Sequence, residues 1–189
     1  LPQFKAWFGE SHVQTAAMLQ TLANILAAEG KYDEAEVRFR EALEIVTQRY
    51  GRDHATVARL LNNLAVLHKD KGDYAAAEQC QSEALEIQRR LLGPDHPDVA
   101  TSLDNLGCIV RLKGDLNAAR AIFEQALELR REALGPSHPS LVLSYINLGS
   151  CLRSLGDYSG AEQLLRKGVE LAEQDLGAGH VRTAEAKVE

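Results

Sequence analysis

GRDHATVARLLNNLAVLHKDKGDYAAAEQCQSEALEIQRRLL, residues 51–92, is one copy of a unit that fills the chain. It opens on Gly51 and His54, and the same G-x-x-H spacing recurs at Gly9/His12, Gly93/His96, Gly135/His138 and Gly177/His180, each step 42 residues. A second glycine follows the first four histidines by 18 residues, at Gly30, Gly72, Gly114 and Gly156. No insertion or deletion interrupts the series. A period this strict marks an array of near-identical supersecondary units, an architecture that builds extended surface rather than an enclosed catalytic pocket.

Inside the quoted unit the apolar residues Val57, Leu60, Leu61, Leu64 and Leu67, together with His68, fall on one side of a 3.6-residue helix. This spacing predicts a helix A over about 55–70 and a helix B over about 75–91, separated by Gly72 and a polar residue that stop one helix and start the next. Small residues recur where the two helices would approach: Ala16, Ala58, Ala100 and Val142, then Ala23, Ala65, Gly107 and Gly149 on helix A. Helix B repeats the device with Ala35, Ala77, Ala119 and Ala161, and with Ala42, Ala84, Ala126 and Gly168. Tyr32, Tyr74 and Tyr158 are expected to fill the gap beside the turn, and Pro97 and Pro139 to sit in the first turn of the next helix A, where no backbone donor is needed. No strand pattern occurs. The reading is all-α: residues 1–8 end a preceding helix B, 9–50, 51–92, 93–134 and 135–176 are four repeats, and 177–189 begin a fifth helix A. A piece of a longer array is expected.

Composition sets the remaining bounds. The chain of 189 residues is 45% hydrophobic and 25% charged, with a net charge of −6 and a mean hydropathy of −0.24. An acidic balance argues against nucleic acid as a partner, because phosphate binding needs a basic stripe. No apolar run approaches the roughly 18–20 residues that span a bilayer, so membrane insertion is not expected. Cys80, Cys108 and Cys151 are odd in number and lack metal-ligand spacing. They fit a reducing, cytoplasmic compartment. Cys151 stands in the column of Ile25, Leu67 and Ile109 and reads as a small core residue.

The helix pairs, the Gly-x-Tyr turns and the small columns together resemble tetratricopeptide repeats. The period of 42 rather than 34 resembles the longer variety found in kinesin light chains. The loop Gly93-Pro94-Asp95-His96-Pro97-Asp98-Val99-Ala100, the helix Leu61-Asn62-Asn63-Leu64-Ala65-Val66-Leu67 and the stretch from Gly72-Asp73-Tyr74 to Ala84-Leu85-Glu86-Ile87 carry that resemblance. It implies a right-handed superhelical solenoid of antiparallel helix pairs, with the A helices lining a concave groove.

Opposite the apolar stripe, helix A has a second face spaced i, i+3, i+7, i+10. It reads Ala17, Gln20, Asn24, Ala27; Arg59, Asn62, Val66, Lys69; Thr101, Asp104, Cys108, Arg111; and Leu143, Ile146, Ser150, Arg153. Side-chain amides there can bond an extended backbone, cations can pair with acidic side chains, and apolar positions can take an anchor. Lys69, Arg111 and Arg153 form a basic column with Arg59 nearby; the alternative is an ordinary solvated face. Asp104 interrupts the face and would disfavour a purely acidic ligand. Asn63, Asn105 and Asn147 form an amide column that can brace a neighbouring helix or, as the resemblance implies, bond a peptide ligand. Leu143 and Ile146 can form an apolar pocket or cover another part of a longer chain.

The histidine column is not a metal site, since successive members are a whole repeat apart and ligand bonds are about 2.0–2.1 Å. A capping or loop-packing task at each helix start is the expectation. His68, in the column of Leu26, Val110 and Leu152, reads as a packed side chain. Glu44, Glu86, Glu128 and Glu170 read as outward, helix-stabilising charges. No nucleophile elbow, phosphate loop or zincin motif is present. No catalysis, cofactor, metal or small-molecule substrate is expected. The expected function is a protein–protein interaction scaffold that binds an extended acidic and apolar peptide in its groove, in the manner of a cargo adaptor. The rival is a structural or regulatory arm of a larger signalling protein with its groove used intramolecularly.

Overall fold

Glycine punctuation sets the helix boundaries in the computed structural model, which describes residues 13–175. Among the described residues there are eight α-helices and no strand. They are α1 (Val13–Ala28), α2 (Tyr32–Tyr50), α3 (Ala55–Lys71), α4 (Tyr74–Leu92), α5 (Pro97–Lys113), α6 (Leu116–Leu134), α7 (Leu141–Ser154) and α8 (Tyr158–Asp175). The expectations for 1–8, Gly9, His12, Gly177, His180 and 177–189 lie outside the described residues.

Each turn inside a pair is closed by a glycine that only a residue without Cβ fills cheaply. Gly72 has φ 84° and ψ 4°, the left-handed conformation. Its N–H bonds Lys69 O, and Asp73 N–H reaches back to His68 O at 2.8 Å, so the last carbonyls of α3 are satisfied. Asp73 then turns its side chain onto Ala76 N–H at 3.1 Å and starts α4. Asp115 and Asp157 repeat that cap on Ala118 and Gly160.

The loops between pairs use histidine in the same way. His54 Nδ1 accepts from Thr56 N–H and His96 Nδ1 from Asp98 N–H, both at 3.1 Å. The recurring histidine is therefore a helix cap in these loops. His138 Nδ1 likewise accepts from Ser140 N–H, at 3.3 Å, but it also meets Ser140 Oγ at 2.7 Å, and α7 begins only at Leu141. Pro97 is the first residue of α5 as expected, whereas Pro139 lies in a turn ahead of α7 and not in its first turn. Tyr32 and Tyr74 are half-buried beside their turns, but Tyr158 is 70% exposed and fills no gap.

The described helices divide into two compact units, one ending at Gly93 and the other starting at Pro94. In the first, α1 packs on α2, α3 on α4, and α2 against α3. In the second, α5 packs on α6, α7 on α8, and α7 against both α6 and α5. Small columns let paired helices close on one another: Ala23, Ala65, Gly107 and Gly149 are all buried. At Gly107 an added Cβ would stand 2.6 Å from the Phe123 ring, so glycine here is set by packing. Phe39 and Phe123 fill the facing column, and the same column holds the buried Gln81 in α4. His68 is buried as expected, yet neither ring nitrogen has a hydrogen-bond partner, and the nearest carboxylate, Glu36 Oε1, is 3.9 Å away.

Candidate functional site

The second face of the A helices, opposite the packed stripe, mixes exposed and half-buried side chains, with Asp104 alone buried. On α3 in the first unit, Arg59 and Val66 are exposed and Asn62, Asn63 and Lys69 are half-buried. Arg59 donates to Gln20 Oε1, which ties the face of α3 to that of α1. Lys69 Nζ lies 3.5 Å from Asp70, an exposed pair worth little by itself. Asn62 Oδ1 is buried without a hydrogen-bond partner.

In the second unit Thr101, Asn105, Leu143 and Arg153 are exposed, and Arg111 is half-buried. Leu143, in the first turn of α7, is 45% exposed. Ile146, in contrast, turns inward and packs against the cluster of Leu141, Val142, Leu171 and Ala172. The apolar pocket expected from Leu143 and Ile146 thus reduces to Leu143 on the open face.

Asp104 is corrected outright. Its side chain is 4% exposed and paired with Arg130, equally buried, through Nη1 to Oδ2 at 2.7 Å. Arg130 rises from helix B α6 between α5 and α7. The same nitrogen donates to Ser144 Oγ, and Nη2 donates to Thr101 Oγ1 at 3.3 Å. Burial pushes the Asp104 carboxyl above its ordinary range; the Arg130 charge and hydrogen bond, and the Asn147 amide beside it, offset part of that rise. Oδ1 is left without a well-aligned donor. Asp104 therefore does not interrupt the open face, and Asn147 is turned toward the scaffold.

Arg130 and Ser144 were not among the expected site residues. The signal existed: Arg130 occupies the column of Val46, Gln88 and Ala172, and Asp104 that of Gln20, Asn62 and Ile146. Two opposite charges enter two otherwise uncharged columns in the same copy. Elsewhere the chemistry is quiet. Burial pushes the Cys80 and Cys151 thiols up, so neither is a poised nucleophile, and Cys151 Sγ rests on Leu116 O at 3.5 Å. Among the described residues no three His, Cys, Asp or Glu side chains gather to hold a metal ion, and no helix is long and apolar enough to cross a membrane.

These pairs and caps can be compared with known proteins. The Tetratricopeptide repeat family matches residues 1–48, 14–79, 56–132 and 110–174. The chain belongs to the tetratricopeptide repeat family. Its repeats are of the long, kinesin light chain-like type. The crystal structure of BtubC (BKLC) from P. vanneervenii is similar over 84% of this chain at 28% identity and a TM-score of 0.75. This chain spans 63% of that protein. A kinesin light chain-like protein of Podosopora anserina with nearly identical TPR-like repeats is similar over 93% of this chain and 83% of its own, at 21% identity and a TM-score of 0.77. The apo form of RapI covers 86% of this tetratricopeptide array at 19% identity and a TM-score of 0.72, and this chain spans 57% of it. A comparison with curated protein sequences returned no match. Membership makes this chain a protein–protein interaction scaffold, since tetratricopeptide repeats are in general non-catalytic and their partners are proteins.

Proposed function

We propose that the open faces of the A helices recognise an extended peptide segment that carries acidic residues and an apolar anchor, in the manner of a cargo adaptor. One observation carries this reading. At the i, i+3, i+7, i+10 positions of α3, α5 and α7 the sole carboxylate, Asp104, is buried and neutralised by Arg130, so the solvent side of that face offers cations, amides and single apolar side chains. In the second unit that face carries Asn105, Arg111 and Arg153 as well as the exposed Leu143; in the first, it carries Arg59, Asn63 and Lys69 as well as the exposed Val66. Amides suit the peptide backbone, guanidinium groups suit carboxylates, and a leucine surface suits an anchor.

The test is titration of a fluorescein-labelled peptide of glutamates and one phenylalanine against the chain and its Arg111→Glu/Arg153→Glu variant. Affinity is expected to fall about tenfold or more, with the helical circular dichroism unchanged. Equal affinity for both proteins would remove the A-helix face of the second unit as the recognition surface.

A further inference from the structure

A second surface of the first unit has the chemistry of a docking site, away from the A-helix face. It lies where α2 and α4 end. Arg90, in the last turn of α4, donates through Nε and Nη2 to Asp53 Oδ1 at 3.0 and 2.7 Å, and so fastens the end of α4 to the loop that follows α2. Within that loop Tyr50 stacks on His54, with ring centroids 4.3 Å apart and planes 12° from parallel, while His54 caps α3. The rim is thus held by ring stacking and an ion pair.

Its groups are of two kinds. Arg90 takes both nearby carboxylates, Asp53 and, at 3.8 Å, Glu86. The exposed Arg49 and Arg52 and the half-buried Arg89 are left with no carboxylate partner among the described residues, in a chain whose net charge is −6. Tyr50, Leu91 and Leu92, at 45%, 45% and 44%, are among the most exposed large apolar side chains described. Favourable placement at helix C-termini accounts for Arg49 and Arg89. It does not account for Arg52, which lies in the loop outside any helix. Nor does it account for the apolar trio. The corresponding positions of the second unit do not repeat the pattern: Pro136 replaces Arg52, Ala133 replaces Arg49, and Leu134 is half-buried.

We infer that this rim of Arg49, Tyr50, Arg52, Arg89, Leu91 and Leu92 docks an acidic protein segment bearing an apolar side chain. The occupant follows from charge complementarity. Three unneutralised guanidinium groups call for carboxylates, and the Tyr50 and leucine surface calls for an apolar contact that a bare polyanion would not supply. Exposed apolar side chains rimmed by charged groups are typical of interaction sites.

The test uses the full chain with Arg59→Glu/Lys69→Glu/Arg111→Glu/Arg153→Glu as background, so that peptide capture at the A-helix faces of both units is removed and the two readings fail separately. The probe is the fluorescein-labelled glutamate peptide with one phenylalanine, fitted with a photo-crosslinker. Saturable binding is expected to persist in that background, with adducts at residues 49–52 and 89–92. Arg49→Glu/Arg52→Glu is expected to weaken it about tenfold, as two reversed exposed charges should. Leu91→Ser/Leu92→Ser is expected to weaken it while leaving the salt dependence intact. Loss of all binding in the background, adducts confined elsewhere, or indifference to the rim substitutions would each overturn the proposal. So would an oligothymidylate that competes as well as the peptide.

Discussion

Asp104 and Arg130 bury opposite charges between three helices, and such a pair is costly to break and cheap to replace as a unit. Arg130→Gln alone leaves a carboxylate stranded in a low-dielectric site, and its expected cost is about 3–5 kcal/mol in urea unfolding. The double change Asp104→Asn/Arg130→Gln copies Asn62 and Gln88 from the preceding repeat. It should cost much less than the single, and an additive double-mutant cycle would contradict the coupling. His68 poses the converse case. Its two ring nitrogens are buried without partners where three other copies carry Leu26, Val110 and Leu152. His68→Leu is expected to stabilise the chain by about 1 kcal/mol, since a buried polar group without a hydrogen bond costs about 1–3 kcal/mol. A fall in the urea midpoint would mean that the imidazole is better accommodated than its contacts show.

At the level of the helix, one repeat lacks a device the others share. Asp73, Asp115 and Asp157 cap their B helices, whereas Lys31 stands in the same position with nearly the same backbone, φ −84° and ψ 61°, and no side-chain cap. Lys31 instead pairs with Glu29 on the surface, which raises its pKa through that hydrogen bond but leaves the α2 donors unserved. Lys31→Asp should raise the melting temperature by roughly 2–4 °C. The same change at an exposed non-cap lysine such as Lys167 should not, and that contrast separates capping from net charge. The helices themselves were plain in the chain, with α3 expected over 55–70 and found over 55–71. Pro139 was misplaced because α7 begins only at Leu141, after His138 has bonded Ser140, an interaction that the loop's likeness to Pro97's surroundings conceals.

Across the whole molecule, recognition by cations on open faces implies screening by salt. Binding of the acidic peptide should weaken steadily as ionic strength rises, because the Debye length falls from about 10 Å at 0.1 M to about 3 Å at 1 M. Affinity that holds constant across that range would point to apolar anchoring at Leu143 and Val66 instead. What the residue order determined by itself was the array: glycines, alanines and histidines at a fixed period dictate helix ends, close helix contacts and caps, all of which are local or nearest-neighbour requirements. Columns, however, say only that side chains occupy equivalent places. Which of them meet solvent depends on neighbours brought in from other helices. Arg130 reached Asp104 from a position 26 residues away and withdrew it from the open face, and the Asn147 amide turned to that buried carboxylate. Ile146 left that face for the core, while Leu143 stayed on it. Those outcomes belonged to the tertiary structure, because the charge and burial of a side chain are settled by distances across helices that no period records.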